Sequence, residues 1–340
     1  MSAHKKILIV TDLWHTHPNG VATVVYHLKK ELEKMGHAVD LLEPSRFFTV
    51  PFPLYPEMRL PIFAMRGVRK KVESGRYDHI HIETEALLGL YARRACIRLH
   101  IPFTTSLHGQ HHLYAKVWLG SLVERIVRSF VAWFHAPSEA TLVSTEPVKE
   151  QMLSIGLKHV YVRPLGVDES FFTRGTCPSV LEKPVFLFMG RVSSEKSIDE
   201  FLSADLPGTK LVVGDGPDRK KLEERFPEAK FVGSQTGQDL IAWCSCADVM
   251  VMPSRTETFG LAMVECLALG IPVAAHDVTG PREIVENGVN GFLDEDIARA
   301  AKGCLTLSRE ACRESVRKYS WRSSAETFLS ILENTRRSGR

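Results

Sequence analysis

Short apolar runs alternate along this chain with longer stretches whose apolar positions recur every three or four residues. In the first half, the runs at 7–11, 39–42, 79–82, 103–107, 140–144 and 160–163 predict strands. Between them, 21–36, 62–75, 86–99, 113–134 and 147–155 predict helices, the first closed by Gly36. The second half repeats the scheme. Strands are predicted at 185–189, 210–213, 230–232, 249–253, 273–275 and 291–293. Helices are predicted at 197–203, 219–226, 238–246, 261–270 and 281–287, then from 295 onward. Strands alternating with helices of this length imply parallel sheets covered on both faces. Residues 164–184, with Gly166, Gly175, Pro178 and Pro184, read as a linker. The expected fold class is α/β, with two doubly wound, Rossmann-like domains over residues 1–166 and 167–319. Ligands are expected at the carboxyl ends of the strands and in the cleft between the domains.

Chemistry concentrates in the stretch 254–265. Glu257 and Glu265 stand around a Phe259-Gly260 step, between the predicted strand 249–253 and the predicted helix 261–270. One carboxylate is thereby placed on a strand-to-helix loop and the other inside the helix. The amides of Phe259, Gly260 and Leu261 fall at a helix N-terminus, which favours anions. Two carboxylates that can grip hydroxyl groups, flanking a phosphate-sized anion site, suggest a ligand that is part sugar and part diphosphate.

Other strand ends add to this site. Gly190-Arg191 and Glu195-Lys196 follow the first strand of the second domain. Gly190 allows close approach, and Arg191 with Lys196 forms a diphosphate clamp. The competing reading is a surface salt-bridge loop in which Lys196 pairs with Glu195 or Glu200. Gly214-Asp215-Gly216-Pro217 is sufficiently explained as a tight turn, because the third glycine of a dinucleotide fingerprint is missing. In the first domain, Asn19-Gly20 puts another helix N-terminus at the cleft. His108 ends a strand and is the best histidine for touching substrate; a loop histidine satisfied by its neighbours is the alternative. His15, His17, His111 and His112 invite a metal but fit no ligand pattern, so no metal is expected. Asp294-Glu295-Asp296 reads as a helix cap.

Bulk properties narrow the class. The 340 residues suit two domains, and 44% hydrophobic with 24% charged residues describes an ordinary soluble protein. A net charge of +3 gives no argument for nucleic acid. Basic residues nevertheless gather in the first half, at 4–6, 66–71, 93–94 and 116–128. The helix 113–134 mixes Lys116, Arg125 and Arg128 with Trp118 and Trp133. It reads as a core helix or as one resting on an anionic membrane. The seven cysteines show no disulfide spacing and read as buried thiols of a reducing compartment; a zinc site at Cys244 and Cys246 lacks a second pair. With no signal region and no long apolar run, the expected location is cytoplasmic, with peripheral contact at the inner face of the membrane left open.

Taken together, these motifs resemble the family 4 retaining glycosyltransferases of GT-B fold, over the whole chain. The resemblance is carried by Gly190-Arg191 with Glu195-Lys196, then 214–217, 253–255, the Glu257/Glu265 pair, 270–274, 279–285, 287–288 and 290–293. It implies that Arg191 and Lys196 hold the donor diphosphate, Glu257 the hydroxyls of the transferred sugar, and Glu265 the ribose. It also implies a phosphate cradle at Thr258, Phe259, Gly260 and Leu261, with Gly20 approaching from the first domain and His108 near the sugar. Backbone around 231–235, including Val232, would read the base, so UDP- and GDP-sugars are not separated. A final helix over about 320–340 would pack back on the first domain. The first loop departs from the family in carrying Asn19-Gly20 where many members have two glycines, and the segment after His108 is unusually rich in histidine. The activity implied is metal-independent transfer of a hexose, with retention, to a lipid, lipid-linked or glycan acceptor. A sugar-nucleotide epimerase or hydrolase, and a non-catalytic sugar-nucleotide binder, are the competing readings.

Overall fold

The computed structural model describes residues 4–13, 19–52, 55–109 and 121–338. The chain divides into two units, Met1–Leu165 with Trp321–Arg340, and Gly166–Ser320.

The sheet of unit 1 is built from β1 (Lys6–Val10), β2 (Ala38–Leu42), β5 (His79–Ile82), β6 (Thr104–Ser106), β7 (Thr141–Val143) and β8 (Val160–Val162), in the order β2-β1-β5-β6-β7-β8. All neighbours are parallel. The apolar run of β1 is buried from Ile7 to Val10, as a parallel strand covered on both faces requires. Helix α1 (Gly20–Lys34) starts where the Asn19 side chain accepts from the Ala22 amide at 2.8 Å. Helices α2 (Met65–Ser74), α3 (Leu87–Leu99), α4 (Ser121–His135) and α5 (Glu146–Ser154) follow. Arg93 ties α3 to α4 by donating to the carbonyls of Phe134 (2.9 Å) and Trp133 (2.8 Å). Its guanidinium also lies 3.8 Å from the centre of the Trp133 ring.

Two features of unit 1 depart from the sequence reading. An antiparallel hairpin, β3 (Thr49–Phe52) and β4 (Tyr55–Pro61), precedes α2. Its prolines, Pro51, Pro56 and Pro61, mask the alternation expected of strands. Of the long helix anticipated at 113–134, the described part begins at Ser121, and 110–120 lie outside the described residues.

Unit 2 holds β9 (Val185–Met189), β10 (Thr209–Val213), β11 (Lys230–Gly233), β12 (Val249–Met252), β13 (Val273–Ala275) and β14 (Gly291–Leu293). Their order is β11-β10-β9-β12-β13-β14, again all parallel. Helices α6 (Ile198–Ser203), α7 (Arg219–Arg225), α8 (Gly237–Cys244), α9 (Leu261–Ala268), α10 (Thr279–Ile284), α11 (Ile297–Cys304) and α12 (Arg309–Val316) complete it. Phe186, Phe188, Phe201, Val251 and Ala301 share its core. Asp296 caps α11, accepting from Ala298 and Arg299 at 3.0 and 3.1 Å, while Asp294 pairs with Arg299.

The glycines at 214 and 216 act through packing. A Cβ on Gly214 would meet the Gly190 carbonyl at 1.8 Å, and one on Gly216 the Val192 carbonyl at 2.3 Å. Only bare backbone lets the two loops lie this close.

The cysteine expectation needs correcting. Cys177 and Cys246 form a disulfide, with Cα atoms 4.9 Å apart; five other cysteines are buried thiols. The two halves stand 69 residues apart in sequence. The segment after Leu165 folds back along the end of α8 and brings them together. Arg174 donates to the Ser245 carbonyl, the Gly175 amide to Ser245 Oγ (2.9 Å), and Lys183 to the Cys246 carbonyl (2.7 Å).

The last helix, α13 (Trp321–Ser338), belongs to unit 1. Ala325, Phe328 and Leu332 pack with Ile7, Ile9, Val25, Leu28 and Leu32. Trp321 stacks on His27 with ring centres 4.6 Å apart, and Glu333 pairs with Lys5.

Candidate active site

In both units the chain lays strands to one side of its first strand and then crosses to the other side. In unit 2 this reversal falls between β9 and β12. The loops leaving the carboxyl ends of two strands that flank a reversal splay apart and leave a ligand crevice. Arg191 and Lys196 leave β9, and Glu257 leaves β12.

The structure joins two of these residues, 61 positions apart. Lys196 Nζ lies 2.8 Å from Glu257 Oε2, with 22% and 13% of their side chains exposed. The surface-loop alternative for Lys196 is therefore not what forms. Glu195 instead accepts from Ser193 at 2.5 Å, and Glu200 faces Arg255 and His276 at 3.4 and 2.9 Å. Burial disfavours charge on Glu257, but Lys196 and the amides of Thr258 and Phe259 hold its carboxyl below the usual range. Those two amides, expected in the phosphate cradle, thus serve Glu257.

Gly260 opens α9 at φ +91°, and a Cβ there would sit 2.3 Å from Met263 Cε. Gly280 packs so closely on the same turn that its amide donates to the Glu257 carbonyl at 2.9 Å. Glu265 lies in α9. Burial, and then the charge of Asp168, pushes its carboxyl up to about 8. Its carboxyl therefore keeps its proton to higher pH than an exposed one, and when protonated it can both donate and accept a hydrogen bond. The Val232 carbonyl accepts from Gln235 Nε2 at 2.8 Å, so it already has an internal partner.

In unit 1 the reversal falls between β1 and β5. Its carboxyl edge carries acidic groups that the sequence reading missed. Asp12, just past β1, accepts from the amides of Leu88 (2.7 Å) and Gly89 (3.1 Å) at the start of α3, and from Thr84 Oγ1 (2.9 Å). Burial outweighs these bonds and pushes its carboxyl up to about 6. Glu83, just past β5, faces His108 Nε2 at 2.5 Å, His81 Nε2 at 3.4 Å and Arg163 at 3.8 Å. Burial opposes its charge, yet His81, Arg163 and His108 together hold its carboxyl well below the usual range. Glu85 lies 3.2 Å from His135. The signal available in the sequence was a strand of alternating histidine and isoleucine, 79–82, ending in Glu83-Thr84-Glu85.

Gly20 is the first residue of α1. His15, His17, His111 and His112 lie outside the described residues. Among the described residues no three His, Cys, Asp or Glu side chains converge as metal ligands, and no helix is long and apolar enough to cross a membrane.

Comparison with known proteins supplies the class. A family model described as Glycosyltransferase Family 4 matches residues 18–171, and one described as Glycosyl transferases group 1 matches 183–310. The chain belongs to the family 4 glycosyltransferases and has the GT-B fold. A GDP-mannose-dependent alpha-mannosyltransferase of Mycobacterium tuberculosis is 27% identical, over 85% of this chain and 83% of its own. An alpha-monoglucosyldiacylglycerol synthase of Streptococcus pneumoniae is 28% identical, over 95% and 83%. A sucrose-phosphate synthase from Thermosynechococcus elongatus superposes with a TM-score of 0.76 at 19% identity, covering 98% of this chain and 100% of its own. The protein is an enzyme, a glycosyltransferase using a nucleotide sugar.

Proposed function

We propose that the protein transfers a hexose, with retention and without a metal, from GDP-mannose or UDP-glucose to a lipid acceptor. The carrying observation is the Lys196–Glu257 pair at the unit 2 reversal, a cation and a carboxylate held together at a strand-end crevice. Donor binding would part this pair. Lys196 turns to the diphosphate beside Arg191, and Glu257 turns to the hydroxyls of the sugar. Glu265 holds the ribose, and the amides of Gly260 and Leu261 add donors at the start of α9. His108 contacts the transferred sugar.

The reaction breaks the bond from the anomeric carbon to the phosphate oxygen and forms one to the acceptor oxygen on the same face. The departing phosphate accepts the proton of the acceptor hydroxyl. Negative charge grows on that phosphate, so fixed positive charge at Arg191 and Lys196 lowers the barrier. These two side chains supply the charge that a divalent cation would otherwise bring.

The relatives' names favour the donors and a lipid acceptor. Three bacterial relatives are named as GDP-mannose-dependent mannosyltransferases, and two as synthases of monoglucosyldiacylglycerol. Helix α4 supports a membrane-held acceptor. Leu122, Ile126 and Trp133 are 70, 61 and 52% exposed, at spacings that align them along one side of the helix, and exposed Arg125 and Arg128 accompany them. An apolar stripe with flanking cations suits a surface of anionic lipid.

The test incubates purified protein with radiolabelled GDP-mannose or UDP-glucose and diacylglycerol in phosphatidylglycerol vesicles, with and without EDTA. Labelled glycolipid of unchanged anomeric configuration, insensitive to EDTA, is expected. Inversion, a requirement for added cation, or donor turnover that ignores every acceptor would each refute the corresponding part.

A further inference from the structure

At the carboxyl edge of the unit 1 sheet, the fold buries a carboxylate to which none of the roles above is given. Glu83 has no exposed surface. Burying an ionised carboxylate costs several kcal/mol unless charge and hydrogen bonds surround it. Its surroundings come from three strand ends: His81 within β5, His108 past β6 and Arg163 past β8. His81 is bracketed by Thr104 Oγ1 at 2.7 Å and Ser106 Oγ at 2.9 Å, and burial shifts it toward its neutral form. The formal counter-charge is Arg163, yet it stands 3.8 Å from Glu83 Oε1, while the close contact at 2.5 Å goes to His108. A simple core ion pair would show the opposite order. The side chains of Glu83, His81 and Arg163 are at most 2% exposed, whereas that of His108 is 14% exposed. The network reaches the surface through the histidine.

We infer that Glu83 is a positioning residue for His108. It accepts from Nε2, which fixes the plane of the ring and the nitrogen that carries the proton in the neutral ring. A carboxylate behind a histidine performs this service in hydrolytic triads and behind metal-bound histidines. The inference rests on the reading that His108 contacts the transferred sugar. Among the described residues, the charged and titratable groups facing the pair are Arg163 and His81.

The experiment measures transfer from labelled GDP-mannose to diacylglycerol, and donor hydrolysis without acceptor, in Glu83→Gln, His108→Ala and the double variant. Glu83→Gln is expected to lower kcat roughly 10–100-fold, with the donor KM within about threefold. Adding Glu83→Gln to His108→Ala should cost nothing more, because residues acting as one unit are non-additive. Wild-type kcat in Glu83→Gln, or a full additional loss in the double variant, overturns the inference. If Glu83→Gln does not fold, Glu83→Asp carries the test, since it keeps the charge and withdraws the contact; undiminished kcat there also overturns it. Separately, ring-nitrogen spectra of 15N-histidine-labelled protein should show the neutral His108 proton on Nε2, and a proton on Nδ1 refutes the contact. Full activity in His108→Ala sinks the functional reading while the spectrum still decides the geometry.

Discussion

The two strand-order reversals share a topology and handle charge in opposite ways. In unit 2 the charged groups sit on the loops that leave two adjacent strands. Lys196 and Glu257 keep part of their side chains in solvent, and in the proposed function each exchanges its partner for the donor. In unit 1, Asp12 and Glu83 are enclosed by the protein itself: helix amides and a threonine bond Asp12, while His108, His81 and Arg163 surround Glu83. A site that must release and rebind a charged ligand needs counter-charges that can be exchanged cheaply. A site that must hold one side chain at a fixed angle needs charges that cannot.

The contrast predicts its own tests. Arg191→Ala or Glu257→Ala should lower transfer by on the order of 10³-fold, the scale of losing a donor to developing negative charge. Melting temperature should move by about 3 °C or less in each. Full activity in both, measured with labelled donor, would remove unit 2 as the donor site. Unit 1 should respond in stability. Arg163→Met leaves Glu83 buried with less compensation and should cost about 3–5 kcal/mol in urea unfolding. A loss below about 1 kcal/mol would mean that His108 and His81 suffice to keep the carboxylate ionised.

A smaller effect concerns Glu265 and pH. Its folded carboxyl is raised to about 8, so between the ordinary carboxyl range and about pH 8 the unfolded chain ionises and the folded one does not. The folded state loses stability as pH rises through that window and loses nothing below it. Glu265→Gln should therefore be more stable than the wild type at pH 8 and equal to it near pH 4. Parallel melting curves at the two pH values would show this, and an equal gap at both would contradict it. The smallest effect on the fold belongs to α4. Leu122→Asp with Ile126→Asp should leave the melting temperature within about 2 °C, since surface substitutions perturb little. The same variant should lose most of its co-sedimentation with phosphatidylglycerol vesicles; undiminished binding would move the membrane contact elsewhere.

Much of this was legible in the chain. Periodicity placed β9, β13 and β14 at their observed bounds, because short parallel strands buried on both faces are continuous apolar runs. The unit 2 motif was legible because strand, loop and helix N-terminus are consecutive in sequence. The pairing of Lys196 with Glu257 was not, since Glu195 and Glu200 are nearer in sequence and only the β9–β12 adjacency decides between them. The unit 1 network was missed for the same reason. Its members Glu83, His108 and Arg163 come from three separate strand ends and look unremarkable singly. The Cys177–Cys246 bridge was hidden by a linker whose path back along α8 depends on hydrogen bonds that no spacing rule encodes.

Helix α13 has a consequence for the order in which the protein can be made. It supplies Ala325, Phe328 and Leu332 to the wall of unit 1, yet the ribosome delivers it after all of unit 2. At synthesis rates of roughly 5–20 residues per second, the apolar side of α1 waits on the order of tens of seconds for its cover. Unit 2 is contiguous and is under no such delay. We predict that chains stalled at Ser320 resist protease across unit 2 and are cut within unit 1. Equal protection of both halves would show that unit 1 closes without its last helix. In the finished molecule the second unit is an insertion within the first, and the half that begins the chain is the last to be completed.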